Sequence, residues 1–188
     1  MRDADSRSLQ ADWRHGLSLL NLRGHPDDAA FRDGVAQALG LALPTQACTT
    51  VASDMEQIRL VWVGPDDWFV LAPTGQAAAI ETRLRTALAG QHVAVTDVSS
   101  GYTVLRLGGP PVREVLAQGC PLDLHPSVFQ PGSAAGSLFF KASIWLWQTA
   151  STPQAPVYEM LVRNSFRRYV WLLLERSTLE CGLTHTGH

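Results

Sequence analysis

Apolar residues recur along this chain with two periods, and Gly, Pro or Asp marks most places where one period gives way to the other. Leu17, Leu19, Leu20 and Leu22 read as a strand. Pro26-Asp27-Asp28 then opens a helix, with acids where the positive end of the helix dipole favours them. Phe31, Val35, Ala38 and Leu39 fall on one helical face, and Gly40 ends it. Ala47 to Ala52 is a weaker strand. Ile58 to Val63 and Trp68 to Ala72 are stronger ones, joined by the hairpin loop Gly64-Pro65-Asp66-Asp67. Ala77, Ile80, Leu84, Ala87 and Leu88 mark a second amphipathic helix, and Val93 to Val98 returns as a strand.

Beyond the turn Ser99-Ser100-Gly101 the same order begins again. Tyr102 to Leu107 is a strand, and Val112, Val115 and Leu116 make a short helix face. Leu138 to Lys141 and Ile144 to Gln148 are strands separated by Ala142-Ser143. After a loop from Ser151 to Pro156, Val157 to Val162 is a strand. Phe166, Tyr169, Val170, Leu173 and Leu174 form the clearest helix face, capped by Asn164 or Ser165. The two halves also align residue by residue. Leu20-Asn21-Leu22-Arg23-Gly24-His25-Pro26 lines up with Leu105-Arg106-Leu107-Gly108-Gly109-Pro110-Pro111, and the same offset pairs Val61 with Leu146 and Trp62 with Trp147. Past the Ser151 to Pro156 loop the offset lengthens and pairs Leu71 with Leu161, Ile80 with Val170 and Leu84 with Leu174.

Each half therefore reads β-α-β-β-β-α, and neither is large enough to bury its apolar faces well alone. The expected fold class is α+β: two pseudo-repeated halves, mainly antiparallel sheets, with helices on the outer faces. The expected organisation is a flexible N-terminal arm over 1–14, halves at 15–98 and 99–181, and a disordered tail at 182–188.

Composition narrows the functional classes. Charged residues make up 17% of the 188 and hydrophobic residues 46%, against about 25% charged in a typical soluble domain. With six Trp, this fits a chain with apolar surface reserved for a partner. Net charge is −2, Lys141 is the sole lysine, and no basic run occurs, so nucleic-acid binding is not expected. No stretch is apolar enough for a membrane span, and Met1 to Arg7 is polar with no apolar segment following, so neither membrane insertion nor secretion is expected. Cys48, Cys120 and Cys181 are odd in number and far apart, which suits reduced thiols in a cytoplasm.

No residue reads as catalytic, cofactor-binding or metal-ligating. Gly108-Gly109-Pro110-Pro111 follows a strand and opens a helix, but its prolines have no N–H to offer an anion. The six histidines are scattered, with no C-x-x-C or H-E-x-x-H. Ser99 and Ser100 sit in a turn without the surroundings of an activated nucleophile. Asp97, ending an apolar strand, could bind an amine or a pterin-like ring, or could cap the Ser99 to Gly101 turn. Trp145 and Trp147 share one sheet face while Ile144 and Leu146 take the other, so both faces need cover. The residues put forward for a partner interface are Trp13, Phe139, Phe140, Trp145 and Trp147.

Several runs carry a family resemblance: V-T-D-V-S-S-G-Y-T-V-L-R-L from Val95, G-C-P-L-D-L-H-P from Gly119 to Pro126, F-Q-P-G from Phe129, G-P-D-D-W-F-V-L from Gly64, and L-V-R-N-S-F-R-R-Y-V-W from Leu161 to Trp171. Together they resemble the gamma subunit of heterotetrameric sarcosine oxidase over roughly Leu17 to Arg176. The resemblance implies a fold like the folate-binding domains of the glycine-cleavage T-protein. It implies alpha, beta and delta subunits as partners in a complex that demethylates sarcosine oxidatively, yielding glycine, a one-carbon unit for tetrahydrofolate, and hydrogen peroxide. It places FAD, FMN, NAD, tetrahydrofolate and zinc in the other subunits and no cofactor in this one. The alternatives are the small subunit of a related N-methyl amino acid dehydrogenase and a free-standing folate-binding protein like an aminomethyltransferase.

Overall fold

The computed structural model describes residues 8–53, 57–152 and 155–185. In chain order the elements are β1 (Leu9–Arg14), β2 (Ser18–Arg23), α1 (Ala29–Leu39), β3 (Thr50–Ala52), β4 (Arg59–Gly64), β5 (Asp67–Ala72), α2 (Ala77–Ala87), β6 (Ala94–Asp97), β7 (Tyr102–Gly108), α3 (Val112–Ala117), β8 (Ala134–Phe139), β9 (Ala142–Thr152), β10 (Ala155–Arg163), α4 (Arg167–Ser177) and β11 (Leu183–His185). The chain divides into two compact units. The first runs from Gly16 to Ser100; the second runs from Gly101 onward and includes the N-terminal segment through His15. Among the described residues no helix is long and apolar enough to cross a membrane.

The first unit holds a five-stranded antiparallel sheet in the order β3-β4-β5-β2-β6, with α1 and α2 packed on one face. Alternation decides the buried face: Leu20, Leu22, Leu60, Trp68 and Val70 point toward Phe31, Val35 and Leu39 of α1 and Ile80 and Leu84 of α2. Trp68 is fully buried, and its indole N–H donates to the Pro44 carbonyl at 2.8 Å, so the burial leaves no polar atom unpaired. Asp28 caps α1 by accepting from the Ala30 amide, and Gly40 closes it at a φ of 66°, its N–H donating to Ala36. The start of α2 is capped from another element: Ser18 Oγ on β2 accepts from the Gln76 and Ala77 amides at 3.0 and 3.1 Å.

The second unit holds a six-stranded sheet in the order β11-β1-β7-β10-β9-β8. All neighbours are antiparallel except β1 and β11. Val112, Val115 and Leu116 of α3 and Val170 and Leu174 of α4 join the apolar face of this sheet in one core. The strand orders β3-β4-β5-β2 and β8-β9-β10-β7 correspond place for place. Leu20 and Leu105, Leu22 and Leu107, Ile80 and Val170, and Leu84 and Leu174 are all fully buried in corresponding elements.

Both chain ends depart from expectation. Where a flexible arm is expected over 1–14, the residues from Leu9 to Arg14 form β1, inserted between β7 and β11; residues 1–7 lie outside the described residues. Leu9, Ala11 and Trp13 point into the core while Gln10, Asp12 and Arg14 alternate away. Gly109 makes room for this strand: its φ is 100°, and a Cβ there would stand 2.7 Å from the Ser8 carbonyl oxygen. Arg14 then reaches across β7 to Glu159 on β10 at 2.7 Å, and the other oxygen of that buried carboxylate accepts from the Trp147 indole N–H at 2.9 Å. Likewise the tail expected over 182–188 includes β11, beside β1; residues 186–188 lie outside the described residues. The N-cap position of α4 is Phe166, after a 3-10 turn over Asn164–Phe166, where the sequence suggests Asn164 or Ser165.

A strand this deeply used predicts a large cost on truncation. Leu9→Ala should lower unfolding free energy by about 2–5 kcal/mol, measured by urea denaturation. A change near zero would mean that β1 is peripheral.

Candidate functional site

The G-C-P-L-D-L-H-P run is built to hold the β8–β9 hairpin. That hairpin turns at Phe140-Lys141, since Phe139 pairs with Ala142, whereas the sequence suggests a turn at Ala142-Ser143. Phe140 sits at a φ of 53°, a conformation that bulky residues rarely adopt. Its backbone N–H donates to the Gly119 carbonyl at 2.7 Å, and its ring lies against the Gly119 Cα, where a Cβ would approach to 2.5 Å. Cys120 is buried in the core, with its Sγ 3.7 Å from Ser137 Oγ on β8. Asp123 accepts from the His125 amide, and His125 Nδ1 lies 2.6 Å from Ser127 Oγ. Phe129, just beyond, packs against Tyr158 at 6.1 Å. Burial pushes the Tyr158 phenol above its ordinary pKa, with Arg113, 3.1 Å from its oxygen, opposing the rise. The loop thus spends its reactive residue types on turns and packing.

The five aromatic residues put forward for an interface separate into two groups. Trp13, Phe139 and Trp147 are buried. Trp13 and Phe139 belong to the core of the second unit, and Trp147 is fixed by its hydrogen bond to Glu159. All three are enclosed within the chain itself and add little to its exposed surface. Trp145 is partly buried and lies over Gly136 on the neighbouring strand. Phe140 is 36% exposed at the hairpin tip, beside Leu138, which is 45% exposed. The helix face read from the sequence also needs revision: Val170 and Leu174 are buried, but Phe166 is exposed, as is Leu172 on the same helix.

Asp97 serves as a turn cap. Its Oδ1 accepts from the Ser99 amide at 2.9 Å and from the Ser99 hydroxyl at 2.5 Å, and these bonds hold its carboxyl below the ordinary aspartate pKa. Ser99 Oγ also accepts from the Leu19 amide at 2.9 Å, tying the turn to β2. In the first unit, Arg23, His25, Asp66 and His92 line a cavity of about 360 Å³. Two imidazoles and a carboxylate are a possible metal set by type, but among the described residues no group of three His, Cys, Asp or Glu is placed to hold a metal ion.

Comparison with known proteins gives a consistent assignment. The model of the sarcosine oxidase, gamma subunit family matches residues 23–180. The sarcosine oxidase subunit gamma of Corynebacterium sp. (strain P-1) is 33% identical over 156 residues, covering 82% of this chain and 73% of that one. A chain of the heterotetrameric sarcosine oxidase from Corynebacterium sp. U-96, solved in complex with pyrrole 2-carboxylate, superposes with a TM-score of 0.83 at 27% identity, covering 97% of this chain and 89% of that one. The glycine cleavage system aminomethyltransferase T from Bartonella henselae superposes with a TM-score of 0.70 at 14% identity, covering 97% of this chain and 49% of its own, which is a likeness of fold.

Two outcomes check this description. Gly119→Ala should cost about 1–3 kcal/mol of stability in the wild type and little in a Phe140→Gly background, read from a double-mutant cycle in urea. Equal costs in both backgrounds would refute the packing of Phe140 on Gly119. For Asp97, a lowered folded pKa means that its contribution is full above the unfolded value and lost as pH falls through the folded value. Asp97→Asn should therefore destabilise at neutral pH and have little effect once the wild-type carboxyl is protonated, measured by thermal melting against pH. A pH-independent effect would show that the charge has no part in the turn.

Proposed function

The chain belongs to the sarcosine oxidase, gamma subunit family, and from that premise we propose that it is an accessory, interface-forming subunit of a heterotetrameric sarcosine oxidase. The observation that carries this reading is the superposition of 97% of the chain on a chain of such a complex. Its partners are then the alpha, beta and delta subunits. The reaction of the assembly is the oxidative demethylation of sarcosine to glycine, with transfer of the one-carbon unit to tetrahydrofolate and formation of hydrogen peroxide. FAD, FMN, NAD, tetrahydrofolate and zinc belong to the other subunits. In this chain the residues that could have done chemistry support the fold: Asp97 and Ser99 build a turn, His125 and Ser127 another, and Cys120 lies in the core. Asp97, the acid that the sequence offers for a pterin-like ring, caps the Ser99 turn through Oδ1, which supports placing tetrahydrofolate in another subunit. Cys48, Cys120 and Cys181 are all free thiols, which supports a cytoplasmic setting.

Co-expression tests the reading. With a tag on one sister subunit, this chain should co-purify in equal amount, and leaving it out should sharply reduce the yield of assembled complex that oxidises sarcosine. Full yield and full sarcosine turnover without it would contradict the proposal. Preference for another N-methyl amino acid, such as N-methylglutamate, would move the complex to the related dehydrogenases.

A further inference from the structure

The core does not account for most of the L-V-R-N-S-F-R-R-Y-V-W run. Leu161, Val162 and Val170 are buried, but Arg163, Phe166, Arg167 and Arg168 are exposed. The first turn of α4 carries no acidic residue and no side-chain cap, so its arginines face the positive end of the helix dipole, where cations are unfavourable. Among the described residues none of the three arginines has a carboxylate partner; the ion pairs lie elsewhere, at Arg14, Arg23 and Arg85.

Two of the three guanidiniums are nevertheless held in place. Arg163 lies over the Tyr102 ring at 5.3 Å and Arg167 over the Trp13 ring at 5.2 Å. Trp13 is itself braced by Trp171, with ring centroids 6.2 Å apart. A guanidinium stacked on a ring keeps its in-plane N–H fork free for a carboxylate, and its side chain has less freedom to lose on binding. Apolar surface lies alongside. Leu172 is 48% exposed, and Phe166, 36% exposed, meets Tyr169 edge-on at 6.1 Å. Exposed arginine beside aromatic surface is typical of residues that dominate protein–protein affinity.

We propose that the N-terminal half of α4, with Arg163 before it, is a docking surface for an acidic segment of a partner protein subunit. Carboxylates of the partner pair with Arg163, Arg167 and Arg168, and an apolar side chain covers Phe166 and Leu172. Charge complementarity selects this occupant, since three guanidiniums stand without counter-charge among the described residues, on a chain whose net charge is −2. A second copy meeting α4 across a two-fold axis would set arginine against arginine. Nucleic acid would require a broader basic footprint than half a helix. The inference rests on the subunit reading above.

The test uses the full chain co-expressed with its sister subunits. The variants are Arg163→Glu/Arg168→Glu, Arg168→Glu alone, Leu172→Ser and Arg168→Lys; Arg167 is spared because it braces Trp13. The free variants should melt like the wild type. Association with the sister subunits should weaken about tenfold or more in the double variant, with a flatter dependence on salt, and Arg168→Lys should retain most of the affinity. Should the double variant melt early, Arg168→Glu and Leu172→Ser, both at exposed positions, carry the test. Wild-type affinity in variants that melt normally would overturn the docking surface and leave the subunit reading standing. Loss of self-association or of nucleic-acid binding, with subunit binding intact, would also overturn it. A wild-type chain that does not bind the sister subunits would overturn the subunit reading and this inference together.

Discussion

β1 lies between β7 and β11, and the terms on which it fits there shape the rest of the second unit. The strand brings Leu9, Ala11 and Trp13 into the core from one face and Arg14 to the buried Glu159 from the other. Burying side chains of this size contributes on the order of 1.5–3 kcal/mol each for the larger ones. Without β1, β7 would be left as a long edge with unpaired amides. Gly109 is the residue that tolerates the close approach, and Trp13 extends the consequences outward, because Trp171 and His185 stack in sequence beyond it. The N-terminal strand, the last helix and the C-terminal strand are thus mutually dependent. The 16–100 segment enters the chain between β1 and the strand that β1 pairs with.

The same economy is seen in the residues that look reactive in the sequence. The Gly119 to Pro126 run combines glycine, cysteine, aspartate and histidine, and each has a mechanical task. Gly119 leaves space for the Phe140 ring, Cys120 fills core, and Asp123 and His125 stitch the loop. The second unit presents exposed apolar side chains at the β8–β9 hairpin tip and arginine with aromatic surface at the start of α4. A subunit that contributes through contacts needs such surfaces and a stable frame to carry them.

Much of this frame is legible in the sequence, and the departures have physical reasons. Strands with dense apolar runs, such as Tyr102 to Leu107, and helices with clear stops, such as that ended by Gly40, fall where the periodicity places them. β1 was missed although L-Q-A-D-W-R alternates strictly, because its polar flank reads as an arm. The β8–β9 turn was not legible, because Phe140 occupies a backbone conformation that sequence normally assigns to Gly or Asn. Trp13, Phe139 and Trp147 read as interface residues because a large aromatic on a strand gives no sign of which face is covered from within the chain. The arginines around the start of α4 appear in the sequence only as part of a family run; their lack of carboxylate partners among the described residues, and the seats of Arg163 on Tyr102 and Arg167 on Trp13, needed three dimensions.

Amide hydrogen exchange, compared between the free chain and the chain assembled with its sister subunits, tests the central claim most directly: a frame locked by β1 presents the start of α4 to a partner. β1 and β7 should exchange slowly and equally in both states, and assembly should add protection at 163–172. Fast exchange of β1 in the free chain, or new protection on assembly confined to the 119–132 loop with none at 163–172, would contradict it.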